Sequence, residues 1–208
     1  MKHEAWPWGA FDSFSKQPFR REIVWGLDSP IRYAGGVMAF LPLNELPALF
    51  PHVVSWISYV GKQAQESGRA LTSIEFNLAQ HVGLAHPEEV RILSVPRIPL
   101  PAHPRVKQLA KQVGLLNADT GGLTAGYGVI VRLDCTRNLR LLTHEFVHVA
   151  QYERLGREGF LQEYIQQIAA HGYPDAPFEL EGGSEEQIER VVAGIPASSI
   201  TASSVEHP

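Results

Sequence analysis

Residues 141–156, LLTHEFVHVAQYERLG, decide the fold and carry the most specific chemistry of this 208-residue chain. The residues around the two histidines are strongly apolar, so we expect a helix over 139–155 that is mostly buried. Gly156 follows as a stop signal of the kind that ends helices. Because positions i and i+4 lie on one helix face, His144 and His148 can direct two imidazoles to one point.

The pattern that runs from His144 through Glu145 to His148 predicts a zinc site. Each imidazole can give a ring nitrogen to Zn²⁺ at about 2.0–2.1 Å. Glu145, one step around the helix, lies beside that point, where it can accept a proton from water. Polar groups in an apolar helix need partners, and a metal would supply them. A purely structural histidine pair, satisfied by carbonyls and carboxylates, is the alternative.

A third zinc ligand must come from elsewhere in the chain. A metzincin would have Gly and His three and six residues after the second histidine, but Gln151 and Arg154 stand there. A glutamate on a later helix is the other common solution. The stretch PFELEGG, 177–183, is favoured because it follows a full helix and a loop that can reverse the chain. The downstream candidates are Glu153, Glu158, Glu163, Glu179 and Glu181.

The rest of the chain mixes helical and extended patterns, which predicts an α+β fold with a few-stranded sheet and otherwise mainly helices. Helices are predicted at 43–67, 71–81, 105–116 and 158–171. Strands are predicted at 88–95 and 123–134. We expect an aromatic N-terminal arm at 1–36, a single domain at 37–196 and a disordered tail at 197–208.

The composition of the chain constrains its surroundings and partners. A formal net charge of −4 gives no reason to expect nucleic acid or an anionic membrane as a partner. Cys135 is the single cysteine, which leaves no intramolecular disulfide and suits a reducing compartment. No apolar run approaches the ~20 residues needed to span a bilayer. We therefore expect a cytoplasmic protein.

The segments HEFVHVAQYERLG, FLQEY and GYPDAPFELEGG together resemble the compact gluzincin metallopeptidases, which pair an H-E-x-x-H helix with a later helix of the type E-x-E-A. The similarity spans roughly residues 88–183. It implies a small zincin-like domain with an edge strand at 127–133 just before the active-site helix at 139–155. It also implies that His144, His148 and Glu179 bind Zn²⁺, with Glu181 as the fallback for the third ligand.

The same resemblance implies a reaction. Glu145 would take a proton from the attacking water and pass it to the leaving amine of a peptide or protein substrate. The strand at 128–132 would pair with an extended substrate backbone. Gly182, three places after Glu179, would be the small residue that lets two helices approach closely. A side chain that stabilises the oxyanion is also expected, and the candidates are Tyr127, His171 and Tyr173.

Two other functions fit the same residues. One is a non-catalytic, zinc-stabilised protein-interaction module, in which the aromatic arm at 1–36 engages a protein partner. The other is a latent protease whose cleft is covered by that arm. Peptide hydrolysis that is lost when Glu145 is replaced would separate a peptidase from the interaction module.

Overall fold

The computed structural model describes residues 44–183 of the chain. This range contains five α-helices and three β-strands, which confirms the predicted α+β class. The elements are α1 (Leu46–Ser67), α2 (Ser73–Val82), β1 (Arg91–Val95), α3 (Pro104–Gln112), β2 (Gly122–Ala125), β3 (Gly128–Arg132), α4 (Leu139–His171) and α5 (Pro177–Gly183). The predicted arm at 1–36, the tail at 197–208 and both ends of the predicted domain at 37–196 lie outside the described residues. Among the described helices, none is both long and apolar enough to cross a bilayer.

Helix α4 carries the H-E-x-x-H sequence and is bent at Gly156. Asn138 caps its N-terminus by accepting a hydrogen bond from the Leu141 N–H at 3.1 Å. Gly156 has φ 70° and ψ 171°, outside the helical region, and divides α4 into a first segment, 139–155, and a second segment, 157–171. The predicted helix at 139–155 and its stop at Gly156 are therefore confirmed, although the helix resumes immediately afterwards.

The sheet has the strand order β1-β3-β2, so the strand just before α4 is the central one. β3 pairs in parallel with β1 and antiparallel with β2. The predicted edge strand at 127–133 is therefore wrong, as is the prediction that residues 128–132 are open to a substrate. The physical reason is Gly126, whose φ of 67° turns the chain and divides the predicted strand at 123–134 into a tight hairpin. The edge strand beside α4 is β2.

The sheet separates two apolar clusters, because successive side chains of a strand point to opposite faces. Val129 and Val131 of β3 pack on one face with Phe146 of the first segment of α4. Ile130, between them, packs on the other face with residues of α1, including Val60. All of these β3 side chains are fully buried, as expected for a central strand that is covered on both faces. The sheet thus fixes β2 beside the H-E-x-x-H segment.

Candidate metal centre

Two histidines of α4 and one glutamate of α5 converge on one point. We call His144, His148 and Glu179 the cluster. Each of them offers a ligand atom, and these atoms lie within 4.8 Å of one another. The two histidine Nε2 atoms are 3.0 Å apart. Glu179 Oε2 lies 3.4 Å from His144 Nε2, and Glu179 Oε1 lies 3.4 Å from His148 Nε2. The structure therefore brings together the three residues that were predicted as ligands, and Glu179 rather than Glu181 faces the histidines.

Helix geometry and a reversal of the chain explain this convergence. His144 and His148 are about one turn apart on the first segment of α4. Gly172, with φ 87°, ends α4, and residues 173–176 lead into α5, which packs against α4. Gly182 of α5 lies so close to His144 that a Cβ there would be 2.7 Å from His144 Nδ1. A residue without a side chain at position 182 is therefore needed for the two helices to approach in this way.

The donor set suits zinc in kind and in spacing. Zn²⁺ accepts imidazole nitrogen and carboxylate oxygen at about 2.0–2.2 Å, and tetrahedral angles then place neighbouring donors roughly 3.3–3.6 Å apart. The two Nε2 atoms are 3.0 Å apart and each lies 3.4 Å from its nearer Glu179 oxygen, so the three groups are close enough to share one ion. Glu179 is also 7% exposed, and a buried carboxylate needs positive charge beside it. These three residues could therefore hold Zn²⁺.

Gln151 fixes the orientation of the His148 ring. It is fully buried, and its Nε2 donates to the Phe178 carbonyl at 3.1 Å and to Glu181 Oε2 at 2.9 Å. Its Oε1 is therefore the atom that lies 2.8 Å from His148 Nδ1 and accepts the ring N–H. A proton on Nδ1 leaves the Nε2 lone pair directed at the cluster, which is the form that a metal ligand needs.

Opposing effects set the charges of His144 and Glu179. Burial lowers the pKa of His144, but its hydrogen bond to Glu179, the nearby carboxylates and a hydrogen bond to the Gly182 backbone raise it to about 9. Burial raises the pKa of the Glu179 carboxyl, but its interactions with both histidines hold that pKa well below its usual range. In the protein alone at neutral pH, His144 is therefore cationic and Glu179 anionic.

Tyr164, on the second segment of α4, donates its hydroxyl to Glu179 Oε1 at 2.6 Å. Burial, together with the charge of Glu179, raises the pKa of Tyr164 well above its usual value, so the hydroxyl keeps its proton and stays a donor. The ring also stacks on Phe160 at a centroid distance of 5.3 Å. Tyr164 was not predicted, because it meets Glu179 through the bend at Gly156 and the chain reversal at Gly172.

Glu145 lies beside the cluster, between α4 and β2. It is 4% exposed, and Thr124 Oγ1 donates to its Oε2 at 2.7 Å. Gly122 lies against the other carboxylate oxygen, since a Cβ at that position would overlap Oε1 and would be 2.8 Å from Cδ. Strand β2 therefore holds the carboxylate in place from one side. Thr124 and Gly122 were not predicted, because their proximity depends on the hairpin that the sequence analysis did not resolve.

Other glutamates that were considered as ligands have different partners. Glu181 accepts hydrogen bonds from Gln151 and Arg154, so it supports the neighbouring helices rather than facing the histidines. Glu153 accepts two backbone N–H groups of the segment after α2 and the hydroxyl of Tyr127. It therefore joins α4 to that segment. Glu158 and Glu163 are exposed on the second segment of α4.

The three side chains proposed for the oxyanion differ in their positions. Tyr127 donates to Glu153 at 3.1 Å and so has a structural partner away from the cluster. His171 is exposed at the end of α4. Tyr173 is half-buried and lines the same cavity as His144 and Glu145. Of the three, Tyr173 is the one that the structure brings to the site.

Comparisons with protein-family models, with curated proteins and with solved structures gave no match to this chain. The resemblance to the compact gluzincins therefore stays an expectation from the sequence. The chemistry of His144, Glu145, His148 and Glu179 and the cavity beside them are what indicate a function.

Proposed function

We propose that this chain is a zinc-dependent metallopeptidase, with His144, His148 and Glu179 as metal ligands and Glu145 as the general base. One observation carries the proposal: the imidazole nitrogens of His144 and His148 and the carboxylate of Glu179 lie 3.0–3.4 Å from one another. A second buried carboxylate, that of Glu145, lies beside them. Structural zinc sites have four protein ligands as a rule, whereas catalytic sites have three. Within residues 44–183 three protein donors converge, and this number favours catalysis.

The roles of the chain's own residues follow from their contacts. Zn²⁺, when bound, would lower the pKa of water and polarise a substrate carbonyl. Glu145 accepts a proton from the attacking water and returns it to the leaving amine. The hydrogen bond from Thr124 restrains this carboxylate beside the cluster, and the hydrogen bond from Tyr164 orients Glu179 in the same way.

The outer edge of β2 is the best supported place for an extended substrate backbone. The Arg132 N–H donates to the Gly121 carbonyl at 2.8 Å, so these two residues form a hydrogen-bonded pair between β3 and the residue before β2. Hydrogen-bonded and non-hydrogen-bonded pairs alternate along an antiparallel ladder. The backbone groups of Gly122 and Thr124 therefore point away from β3. The outer edge of β1, by contrast, is partly covered by an isolated bridge. A peptide added to β2 would run beside Glu145, since the Thr124 side chain contacts that carboxylate.

The test combines metal content with one substitution. The purified protein is expected to hold close to one zinc per chain and to cleave an unstructured protein substrate. Glu145→Gln keeps the shape of the side chain but removes the base, so we expect zinc content to be unchanged and the turnover number to fall by about 10²–10⁴-fold. Elemental analysis and a peptide-release assay measure the two quantities.

Glu158→Gln is the matched control, because it makes the same chemical change at an exposed position of α4. It should leave both zinc content and turnover unchanged. A protein without stoichiometric zinc, or a Glu145→Gln variant that cleaves as fast as the wild type, would overturn the proposal. Stoichiometric zinc without any cleavage would support the non-catalytic interaction module instead.

A further inference from the structure

A cavity of about 140 Å³ opens directly beside the cluster. Its walls come from α1, α3, the loop after α3, β2 and the second segment of α4. Four ionisable groups stand together at one end of it, His144, Glu145, His148 and Glu179. The cavity is therefore continuous with the residues that the proposed function assigns to catalysis.

Most of the remaining wall is apolar. Val53 and Ile57 of α1 and Val106, Leu109 and Ala110 of α3 supply much of this lining. Lys, Arg and Asp are missing from the described residues that line it. Charged and strongly polar groups would lose hydration in such a place without gaining partners, whereas an apolar group would be stabilised there.

The polar side-chain atoms of the wall do not alter this character. The Thr124 and Tyr164 hydroxyls donate to Glu145 and Glu179, so they belong to the part of the wall that carries the cluster. The Trp56 indole N–H and the Tyr152 hydroxyl belong to lining residues, but both atoms are buried within the protein. They therefore offer no exposed donor to a ligand in the cavity. Tyr173 is the remaining polar side chain of the wall, so a polar group in the cavity would find few partners away from the cluster.

The volume indicates the size of the occupant. An engineered apolar cavity of about 150 Å³, lined by Leu, Ile and Phe, is known to bind benzene. A cavity of about 140 Å³ therefore suits a single aromatic ring or a branched aliphatic side chain. Because the cavity opens onto the cluster, the ring or aliphatic side chain that fills it must be attached to the substrate close to the bond that reacts.

We propose that this cavity is a specificity pocket, which binds the large aliphatic or aromatic side chain of a substrate residue that flanks the scissile peptide bond. The inference rests on the proposed function, because it uses the cluster as the position of the reacting bond. Ala110 of α3 is the residue best suited to test it, since it is small, half-buried and part of the wall. A larger side chain at that position would fill the space.

The experiment uses the full-length protein with zinc and fluorogenic peptides of the form Gly-Gly-Xaa-Gly-Gly, in which Xaa is Gly, Ala, Leu or Phe. We expect kcat/KM for the Leu and Phe peptides to exceed that for the Ala peptide by at least about tenfold, since pocket contacts of a few methylenes give such ratios. Ala110→Phe should remove this preference by lowering kcat/KM for the Leu and Phe peptides towards the value for the Ala peptide. Lys107→Phe, which introduces phenylalanine at an exposed position of α3 that does not line the cavity, should keep the preference.

A second variant covers the case in which Ala110→Phe does not fold. Val53→Ala enlarges the same wall from α1 and should shift the preference from Leu towards Phe and Trp at the Xaa position. Equal kcat/KM for all four peptides would overturn the specificity pocket and leave the proposed function intact.

Equilibrium binding separates the two proposals if no peptide is cleaved. Calorimetry with the Glu145→Gln protein would then show the Phe peptide binding more tightly than the Gly peptide, and the additional Ala110→Phe change would abolish the difference. That result supports the pocket even though the peptidase proposal has failed. Equal, weak binding of all four peptides overturns the pocket.

Discussion

His144 stands in the middle of a continuous chain of hydrogen bonds. The Nδ1–H of His148 is committed to Gln151, so His148 Nε2 accepts a hydrogen bond from the Nε2–H of His144 at 3.0 Å. On its other side His144 hydrogen-bonds the backbone of Gly182. A histidine that donates from both ring nitrogens is cationic, and the same contacts help to raise the pKa of His144 to about 9. The proton on Nε2 and a zinc ion would therefore compete for the same nitrogen.

Zinc binding is expected to release close to one proton at neutral pH and to strengthen as the pH rises towards the His144 pKa of about 9. Below that pKa, each fall of one pH unit should weaken the apparent zinc affinity by about tenfold, because His144 must lose a proton before it can bind the metal. Titration calorimetry in two buffers of different ionisation enthalpy gives the number of protons released. An affinity that does not change across the neutral pH range would contradict this assignment.

The close packing of α5 on α4 makes Gly182 the sensitive position of this helix pair. Gly182→Ala would place a Cβ 2.7 Å from His144 Nδ1, so the ring or the helix must shift. We expect zinc affinity to fall by about 10–100-fold, the range found when groups behind a metal ligand are disturbed. Competition with a chromogenic chelator measures the affinity.

Gly159→Ala provides the matched comparison on the second segment of α4. A Cβ there would meet only the Leu155 Cβ, at 3.7 Å, which is an ordinary contact. This substitution should raise the free energy of unfolding by about 0.5–1 kcal/mol through helix propensity and leave zinc affinity unchanged. Equal zinc affinities in the two variants would show that the contact between Gly182 and His144 is unimportant.

Local signals were sufficient for the helix and for two of the three converging residues. The spacing of His144 and His148 is a property of any α-helix, and Gly156 marks the end of the first segment in the sequence as in the structure. Glu179 was harder to predict as the third converging residue, because Glu181, two positions away, has the same side chain. The choice depends on which face of α5 meets α4, and the contact at Gly182 now fixes that face.

Long-range partners could not be predicted in the same way. The run at 123–134 alternates well enough for one strand, and only the backbone conformation of Gly126 shows that it is a hairpin. That hairpin brings Thr124 to Glu145 and makes β2 the edge strand. Tyr164 meets Glu179 only after the chain has reversed at Gly172. Each missed contact depends on a turn whose geometry the amino-acid pattern left open.

At the scale of the whole molecule, the cluster ties together elements that are far apart in sequence. The central sheet positions β2 against Glu145, the bend in α4 brings Tyr164 back over the cluster, and α5 adds Glu179. Buried side chains from α4 and α5 thus meet at one point with charges that compensate each other. A metal bound there contacts both helices and should stabilise the folded state of the domain as a whole.

Zinc is therefore expected to raise the melting temperature of the metal-free protein. At a free zinc concentration of 100 times Kd, mass action contributes about 2.7 kcal/mol, and at about 2–4 °C per kcal/mol for a domain of this size the shift should be about 5–10 °C. Differential scanning calorimetry with and without zinc measures it.

Two matched substitutions determine which glutamate is responsible for the zinc-dependent shift. Glu179→Gln removes the carboxylate that faces both histidines, so the shift should largely disappear. Glu181→Gln alters a carboxylate that is bound to Gln151 and Arg154, and the shift should remain even if the metal-free protein melts at a lower temperature. A shift that survives in Glu179→Gln but is lost in Glu181→Gln would exchange the roles of the two residues. That outcome would also require α5 to rotate about its axis relative to α4, because Glu181 now points along the side of α4 that carries Arg154.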